Sequence, residues 1–151
     1  MFPSVFIEPI SENSNTDDTG VDFSFDYSTG QHTMLGSKLK ECNQLESVRQ
    51  YIQNVLRTQA NVYKVYRRGE DDVFGISIYS NIGTRTLPLG YVNSELKREV
   101  TELLLKHPLI SDVTDWSSKR EKRGLNIKFT AVLTDGDLIE ISQDIEVTTY
   151  V

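Results

Sequence analysis

The stretch that decides the fold is Leu125–Val147, which reads LNIKFTAVLTDGDLIEISQDIEV. Apolar residues recur at alternate positions on both sides of Asp135-Gly136-Asp137, with Gln143 as an interruption, and this is the period of a half-buried strand. These positions are Leu125, Ile127, Phe129, Ala131 and Leu133 before the turn, and Ile139, Ile141, Ile145 and Val147 after it. The sequence therefore predicts two antiparallel strands that share a core-facing side.

The register of this hairpin is predicted from the face that its apolar residues share, because a one-residue slip would turn them to the opposite face. The predicted partners are Leu133 with Ile139, Ala131 with Ile141, and Ile127 with Ile145. This register needs a three-residue loop, Asp135–Asp137. Such loops favour glycine at their third position, which is occupied here by Asp137, a residue that tolerates the left-handed conformation.

Two amphipathic helices are predicted before the hairpin. The first runs over Leu45–Leu56, and Asn43 with Glu46 three residues later has the pattern of a capping box. The second begins near Asn93 or Ser94 and ends before Pro108, because the residue preceding a proline is pushed out of helical geometry. Each helix has one apolar face suited to packing on a sheet.

Four further strands are predicted from alternation and turn residues. Val21–Tyr27 and Gln31–Leu35 flank the turn Ser28–Gly30, and Val62–Tyr66 and Val73–Tyr79 flank a second polar turn. The predicted fold class is α+β, with the order ββαββαββ and a mostly antiparallel sheet that carries both helices on one face.

Composition limits the class of protein. The chain has 151 residues, 38% hydrophobic and 25% charged, which suits one globular domain. We expect a flexible N-terminal segment at 1–20, polar and acidic over its second half, and a single domain at 21–151. The net charge of −6 disfavours nucleic acid as a partner. A secretory signal and a membrane-spanning apolar run are not expected, and the single cysteine leaves no internal disulfide.

Residues able to perform chemistry are sparse. His32 and His107 lie in no catalytic-triad context, and Cys42 has no candidate base beside it, although its place before a helix could lower its pKa. Carboxylates that could act as a hydrolytic pair lie in turn-like segments: Glu70, Asp71, Asp72, Asp112 and Asp115. No metal-ligand spacing or phosphate loop is found. We expect no catalytic residue, cofactor or metal, and we expect Trp116 to pack over a sheet edge.

The order of motifs resembles a known family. It begins with Phe25-Asp26-Tyr27-Ser28-Thr29-Gly30, the helix running into Arg57-Thr58, the segment Val62–Tyr66 and the pair Phe74-Gly75. It continues with the helix Leu96–Leu105, the segment His107-Pro108-Leu109-Ile110-Ser111-Asp112-Val113 and the final hairpin. Over residues 21 to 147 this order resembles the sheath-initiator baseplate proteins of contractile phage tails and related particles, especially those of Gram-positive prophages.

The resemblance implies a structural baseplate protein, one of a symmetric ring of copies around the tail tube, that contacts the sheath protein and baseplate wedge proteins. It implies that an arm of a sheath subunit adds a strand to a sheet edge. By this analogy the sheath-binding residues are Ile139, Glu140, Ile141, Ser142, Ile145 and Val147, with an interior position of that strand left open as the alternative. The implied wedge-binding residues are Arg57, Gln59 and Tyr63.

One departure concerns the wedge clamp. Family members carry a Glu and an Arg just after the first helix, whereas this chain has Arg57 there and no Glu. The implied location is the bacterial cytoplasm during assembly and then the baseplate. Three alternatives stay open: another tail or baseplate adaptor of the same fold, a small cell-wall hydrolase that uses carboxylates near Glu70–Asp72, or a cytoplasmic binding module for an unrelated protein.

Overall fold

The final hairpin belongs to the main sheet of the protein. The computed structural model describes residues 21–60, 62, 64–66, 73–77, 87–122 and 124–146. Their elements are β1 (Phe25–Asp26), β2 (Gln31–His32), β3 (Met34–Leu35), β4 (Lys38–Leu39), α1 (Gln44–Arg57), a 3-10 turn (Lys64–Tyr66), α2 (Leu89–Leu105), β5 (Ile110–Glu121), β6 (Gly124–Leu133) and β7 (Leu138–Glu146). The α+β class is confirmed.

The sheet β5-β6-β7 is antiparallel, with β6 in the centre. The alternating apolar residues of β6 and β7 are buried on one face, as predicted. Both helices pack on this face, α1 near β7 and α2 near β5, and the two helices also contact each other. The tyrosine hydroxyl of Tyr51 on α1 donates to the carbonyl oxygen of Leu103 on α2 at 2.8 Å.

The predicted register of the hairpin is wrong by two residues, although the faces are right. Ala131 pairs with Ile139, and Leu125 pairs with Ile145. The loop has three residues, as predicted, but it comprises residues 134–136 and not 135–137. Gly136, with φ of 93°, therefore stands at the third position, so this register satisfies the glycine preference that the predicted register could not.

Strand β5 was not predicted. Its pairing with β6 shifts by one residue between Ile110 and Asp112 and again between Thr114 and Ser117, so it contains two β-bulges. At the second bulge Asp115 has a positive φ of 55°. Trp116 stacks on Phe129 of β6 with ring centroids 5.4 Å apart, and its Nε1 donates to Oδ1 of Asn93 at 3.2 Å. This is packing of the kind expected for that residue.

The helix ends show where capping signals succeed and where they mislead. The Asn43–Glu46 capping box is present, with the Glu46 backbone nitrogen donating to Asn43 Oδ1 at 2.8 Å. Helix α2 begins at Leu89, after Pro88, which is more than one turn before the predicted start. Ser94 is not its cap, because the Ser94 hydroxyl donates to the carbonyl oxygen of Gly90 within the helix.

The N-terminal strands form two small hairpins, β1-β2 and β3-β4, instead of two longer strands. The side chain of Gln50 on α1 holds the first of these hairpins, and the residues just before it, against the helix. Its Oε1 accepts from the Phe25 backbone nitrogen, and its Nε2 donates to Asp22 Oδ2, each at 2.9 Å.

The segment predicted as the strand Val62–Tyr66 contains instead the 3-10 turn at Lys64–Tyr66, and the side chains of Val62 and Val65 are exposed. Of the strand predicted over Val73–Tyr79, the described part forms isolated bridges, one of them the parallel bridge between Gln59 and Ile76. Gly75, with φ of 106°, makes this bridge possible, because a Cβ there would lie 2.8 Å from the carbonyl oxygen of Thr58.

Several predictions fall outside the described residues. They concern the segment 1–20, the carboxylates Glu70, Asp71 and Asp72, and two predicted partner-binding residues, Tyr63 and Val147.

Candidate partner-binding edge and helix end

Strand β7 lies at an edge of the sheet formed by the described residues. Its pairing with β6 runs through nine consecutive residue pairs without a shift. The backbone nitrogen of Leu133 donates to the carbonyl oxygen of Asp137 at 2.8 Å, which marks this as a hydrogen-bonded pair. Because such pairs alternate in antiparallel sheets, the odd-numbered residues of β7 bond to β6.

The even-numbered residues of β7 therefore direct their backbone N–H and C=O groups away from β6. They are Leu138, Glu140, Ser142, Asp144 and Glu146. Within the described part of the chain, one of these groups has a partner: the carbonyl oxygen of Asp144 accepts from Gln143 Nε2 at 3.2 Å. The rest form a regular row of donors and acceptors along the edge.

The opposite edge, β5, is built differently. Its two bulges interrupt the spacing of the groups that point away from β6. At the first bulge the hydroxyl of Ser111 donates to the carbonyl oxygen of Val132 at 3.0 Å. Bulges of this kind twist an edge strand and prevent regular pairing. Of these two edges, β7 is thus the one that a regular strand could extend.

The residues predicted to bind a sheath arm divide between the two faces of β7. Ile139, Ile141 and Ile145 are 0%, 5% and 3% exposed, so their side chains belong to the core. Glu140 and Ser142 are exposed on the outer face. A strand arriving at this edge would bond to the backbone of Glu140 and Ser142, while the buried isoleucines hold that backbone in place.

Sequence reasoning missed two contributors to this edge, Leu138 and Asp144. Leu138 is 64% exposed although it begins a strand. Asp144 Oδ1 accepts from Asn126 Nδ2 at 2.5 Å, which ties the outer face of β7 to β6. The sequence signal that could have found them is their spacing along the strand. Both residues are an even number of positions from Glu140 and Ser142, so their backbone groups point to the same side.

Two of the predicted wedge-binding residues, Arg57 and Gln59, lie at the C-terminal end of α1. Arg57 is exposed, with its guanidinium carbon 4.7 Å from the ring centroid of Tyr27. Gln59 is also exposed, and it lies in a backbone held by hydrogen bonds from Ala60 to Ile76 and from Ile76 to Thr58. Arg57 and Gln59 are therefore both exposed near the end of α1, and the Tyr27 ring lies against the Arg57 guanidinium.

Two of the groups considered for chemistry, Cys42 and His107, lie in surroundings that disfavour their charged forms. Burial, with the nearby carboxylates of Asp22 and Glu46, raises the pKa of the Cys42 thiol, contrary to the expectation that the helix start could lower it. His107 Nδ1 accepts from the Leu109 backbone nitrogen at 3.2 Å, and burial lowers the pKa of this imidazole. The described residues contain no cluster of metal-ligating side chains and no helix long and apolar enough to span a membrane.

Comparison with known proteins gives one family. Residues 21–136 match the family model described as contractile injection system sheath initiator. The match ends in the β6–β7 loop, so β7 itself lies beyond it. No curated protein matches the chain.

Proposed function

Because the chain belongs to the family of contractile injection system sheath initiators, we propose that it starts sheath assembly by offering the open edge of β7 to an arm of a sheath subunit. The family has a structural role in sheath assembly at the baseplate of a contractile injection system, such as a phage tail. The manner of contact proposed here is β-augmentation, in which main-chain hydrogen bonds supply affinity.

The observation that carries this proposal is the regularity of the β7 edge. It presents outward backbone groups at every second residue from Leu138 to Glu146. Each main-chain hydrogen bond contributes about 0.5–1.5 kcal/mol net, so several in register support a stable contact. A sheet edge held on a packed core also loses little conformational entropy when a strand is added.

The proposal extends to the other partners. The surface around Arg57 and Gln59 docks on baseplate wedge proteins, and copies of the chain form a symmetric ring around the tail tube. The protein acts without catalysis and needs no cofactor. It is made in the bacterial cytoplasm, where the particle assembles, and remains in the baseplate.

The test uses the direction of one backbone N–H. The Ser142 nitrogen points away from β6, so Ser142→Pro removes a donor from the open edge and leaves the β6–β7 bonds in place. Ser142→Ala removes the hydroxyl but keeps this donor, and is the matched control. Each variant is mixed with sheath subunits of the same particle, and assembly is followed by sedimentation and electron microscopy.

We expect Ser142→Ala to assemble like the natural chain. Ser142→Pro should weaken assembly at least about tenfold, since the lost bond and the clash of the ring together exceed about 1.4 kcal/mol. Trp116 fluorescence confirms folding of each variant, and Glu140→Pro repeats the test at a second outward nitrogen. Normal assembly by both folded proline variants would refute the use of this edge.

A further inference from the structure

The outer face of the β7 edge is acidic. Glu140, Asp144 and Glu146 are exposed on it, on the same side as the polar residues of β6. The ion pairs formed among the described residues are Lys40–Glu46, Arg98–Glu95 and Arg98–Glu102. None of these neutralises a β7 carboxylate, so a strand that docks at this edge meets uncompensated negative charge.

Lys128 is a cation on the outer face of β6, which is the central strand and not the open edge. Lys128 pairs with Ser142, between the positions of Glu140 and Asp144. Lys128 belongs to the central strand β6, and it is in none of the ion pairs formed among the described residues, so it does not pair with Glu140 or Asp144. The missing positive charge must come from the docking strand.

From this arrangement we infer that the segment received by β7 carries lysine or arginine at two positions four residues apart, opposite Glu140 and Asp144. This inference rests on the proposed function of the β7 edge and specifies the chemistry of its partner. Opposite charges at directly facing positions stabilise a strand pair, whereas like charges destabilise it.

The remaining positions of the segment follow from the alternation of faces. The residue between the two cations faces Ser142 and is polar or small. The residues on either side of it lie beside Ile141 and Gln143 on the face covered by α1. An apolar side chain there extends the core, so the preferred pattern over five residues is basic, apolar, polar, apolar, basic.

The same negative charges disfavour a second copy of this chain as the strand that pairs with the β7 edge. An antiparallel pairing of two β7 edges centred on Ser142 would place Glu140 of each copy opposite Asp144 of the other. Two pairs of facing carboxylates would oppose this contact. The backbone of the edge can pair with any regular strand. The carboxylates of Glu140 and Asp144 therefore decide whether a basic arm or a second copy of the chain binds there.

The experiment uses two synthetic nine-residue peptides with identical valine and threonine positions. One carries lysine at every fourth position, and the other carries glutamate there. Binding of each fluorescently labelled peptide to the full chain is measured by anisotropy. We expect the lysine peptide to bind at least about tenfold more tightly at about 0.05 M salt, with the difference shrinking at about 0.5 M because of screening.

Two charge-reversed variants separate a local effect from net charge. Glu140→Lys should reverse or abolish the preference for the lysine peptide. Glu121→Lys changes the net charge equally but lies on β5, and should keep the preference. Asp144→Lys repeats the test at the second acid that a basic residue of the segment would face. The inference would be overturned if Glu140→Lys and Glu121→Lys lost the preference for the lysine peptide equally. It would also be overturned if the natural chain bound the two peptides with equal affinity.

The sheath-assembly measurement distinguishes this inference from the proposed function. If Glu140→Lys and Asp144→Lys assemble normally while Ser142→Pro does not, the edge is used but the partner is not selected by charge. If Ser142→Pro assembles normally as a folded protein, the edge itself is not used. If Glu140→Lys and Ser142→Pro lose sheath assembly while Glu121→Lys assembles normally, the result supports both the use of the β7 edge and the selection of its partner by charge.

Discussion

The backbone nitrogen of Leu133 donates to the carbonyl oxygen of Asp137 across a loop of three residues, and the nitrogen of Gly136 donates back to the carbonyl oxygen of Leu133. These two bonds set the register of the whole β6–β7 hairpin. They also determine which residues of β7 turn their backbone toward the open edge.

Gly136→Ala should lower the free energy of unfolding by about 1–2 kcal/mol, because the φ of 93° is unfavourable for a residue with a Cβ. Urea unfolding followed by Trp116 fluorescence measures the change. Gly90→Ala is the control, since Gly90 lies in α2 with open space around it and alanine is the better helix former. Equal stability of Gly136→Ala and the natural chain would show that the loop does not need glycine.

Gly75→Ala should be more costly, since it combines a positive φ with a close approach. The new Cβ would lie 2.8 Å from the carbonyl oxygen of Thr58, and relief of such overlap costs about 1–3 kcal/mol. Gly30→Ala is the matched control, because Gly30 also has a positive φ, of 71°, but has no atom within 4 Å of the added Cβ. The prediction fails if the two variants lose the same stability.

Asn93→Ala should reduce stability by about 1 kcal/mol, because Trp116 Nε1 loses its acceptor. It should also shift the fluorescence emission of Trp116, the one tryptophan of the chain. Asn93→Asp keeps an oxygen at this position and should alter both quantities less. If the emission of Asn93→Ala matched that of the natural chain, the indole would not depend on this contact.

The stability of the protein should fall as the pH is lowered through the range in which His107 titrates. Burial lowers the pKa of His107 in the folded state below its ordinary value of 6.5, so the unfolded chain takes up the proton first. The contribution is therefore fully present above about pH 6.5 and is lost as the pH falls through the folded-state pKa. Protonation of Nδ1 would also end its acceptance of the Leu109 N–H.

The measurement is the free energy of unfolding at several pH values for the natural chain and for His107→Gln. Since other groups titrate equally in both proteins, the difference between the two curves isolates His107. The natural chain should lose stability relative to the variant as the pH falls. Parallel curves would contradict the assignment.

Sequence patterns predicted the elements whose determinants are local. Asn43 and Glu46 specify the start of α1 because both halves of the capping box lie within four residues. The alternation of β6 and β7 likewise predicted which side chains enter the core. Val62–Tyr66 shows the limit of such reasoning, since this short alternating segment contains a 3-10 turn at Lys64–Tyr66 where a strand was predicted.

Strand β5 was missed for a definite reason. Its apolar residues Ile110, Val113 and Trp116 are three apart, because each bulge adds one residue to the strand. This spacing hides the period of two by which strands are recognised. Without β5 the sequence could not distinguish an edge position for β7 from an interior one, so the candidate site needed the three-dimensional order of the strands.

The two bulges of β5 have a consequence for growth of the sheet. One border of the sheet, along β5, is irregular, while the border along β7 repeats every two residues. Of these two borders, the one along β7 is therefore the one at which a new strand can pair in register. On the proposed use of β7, an assembly seeded by this sheet therefore has a built-in polarity, because its first added strand pairs with β7 and not with β5.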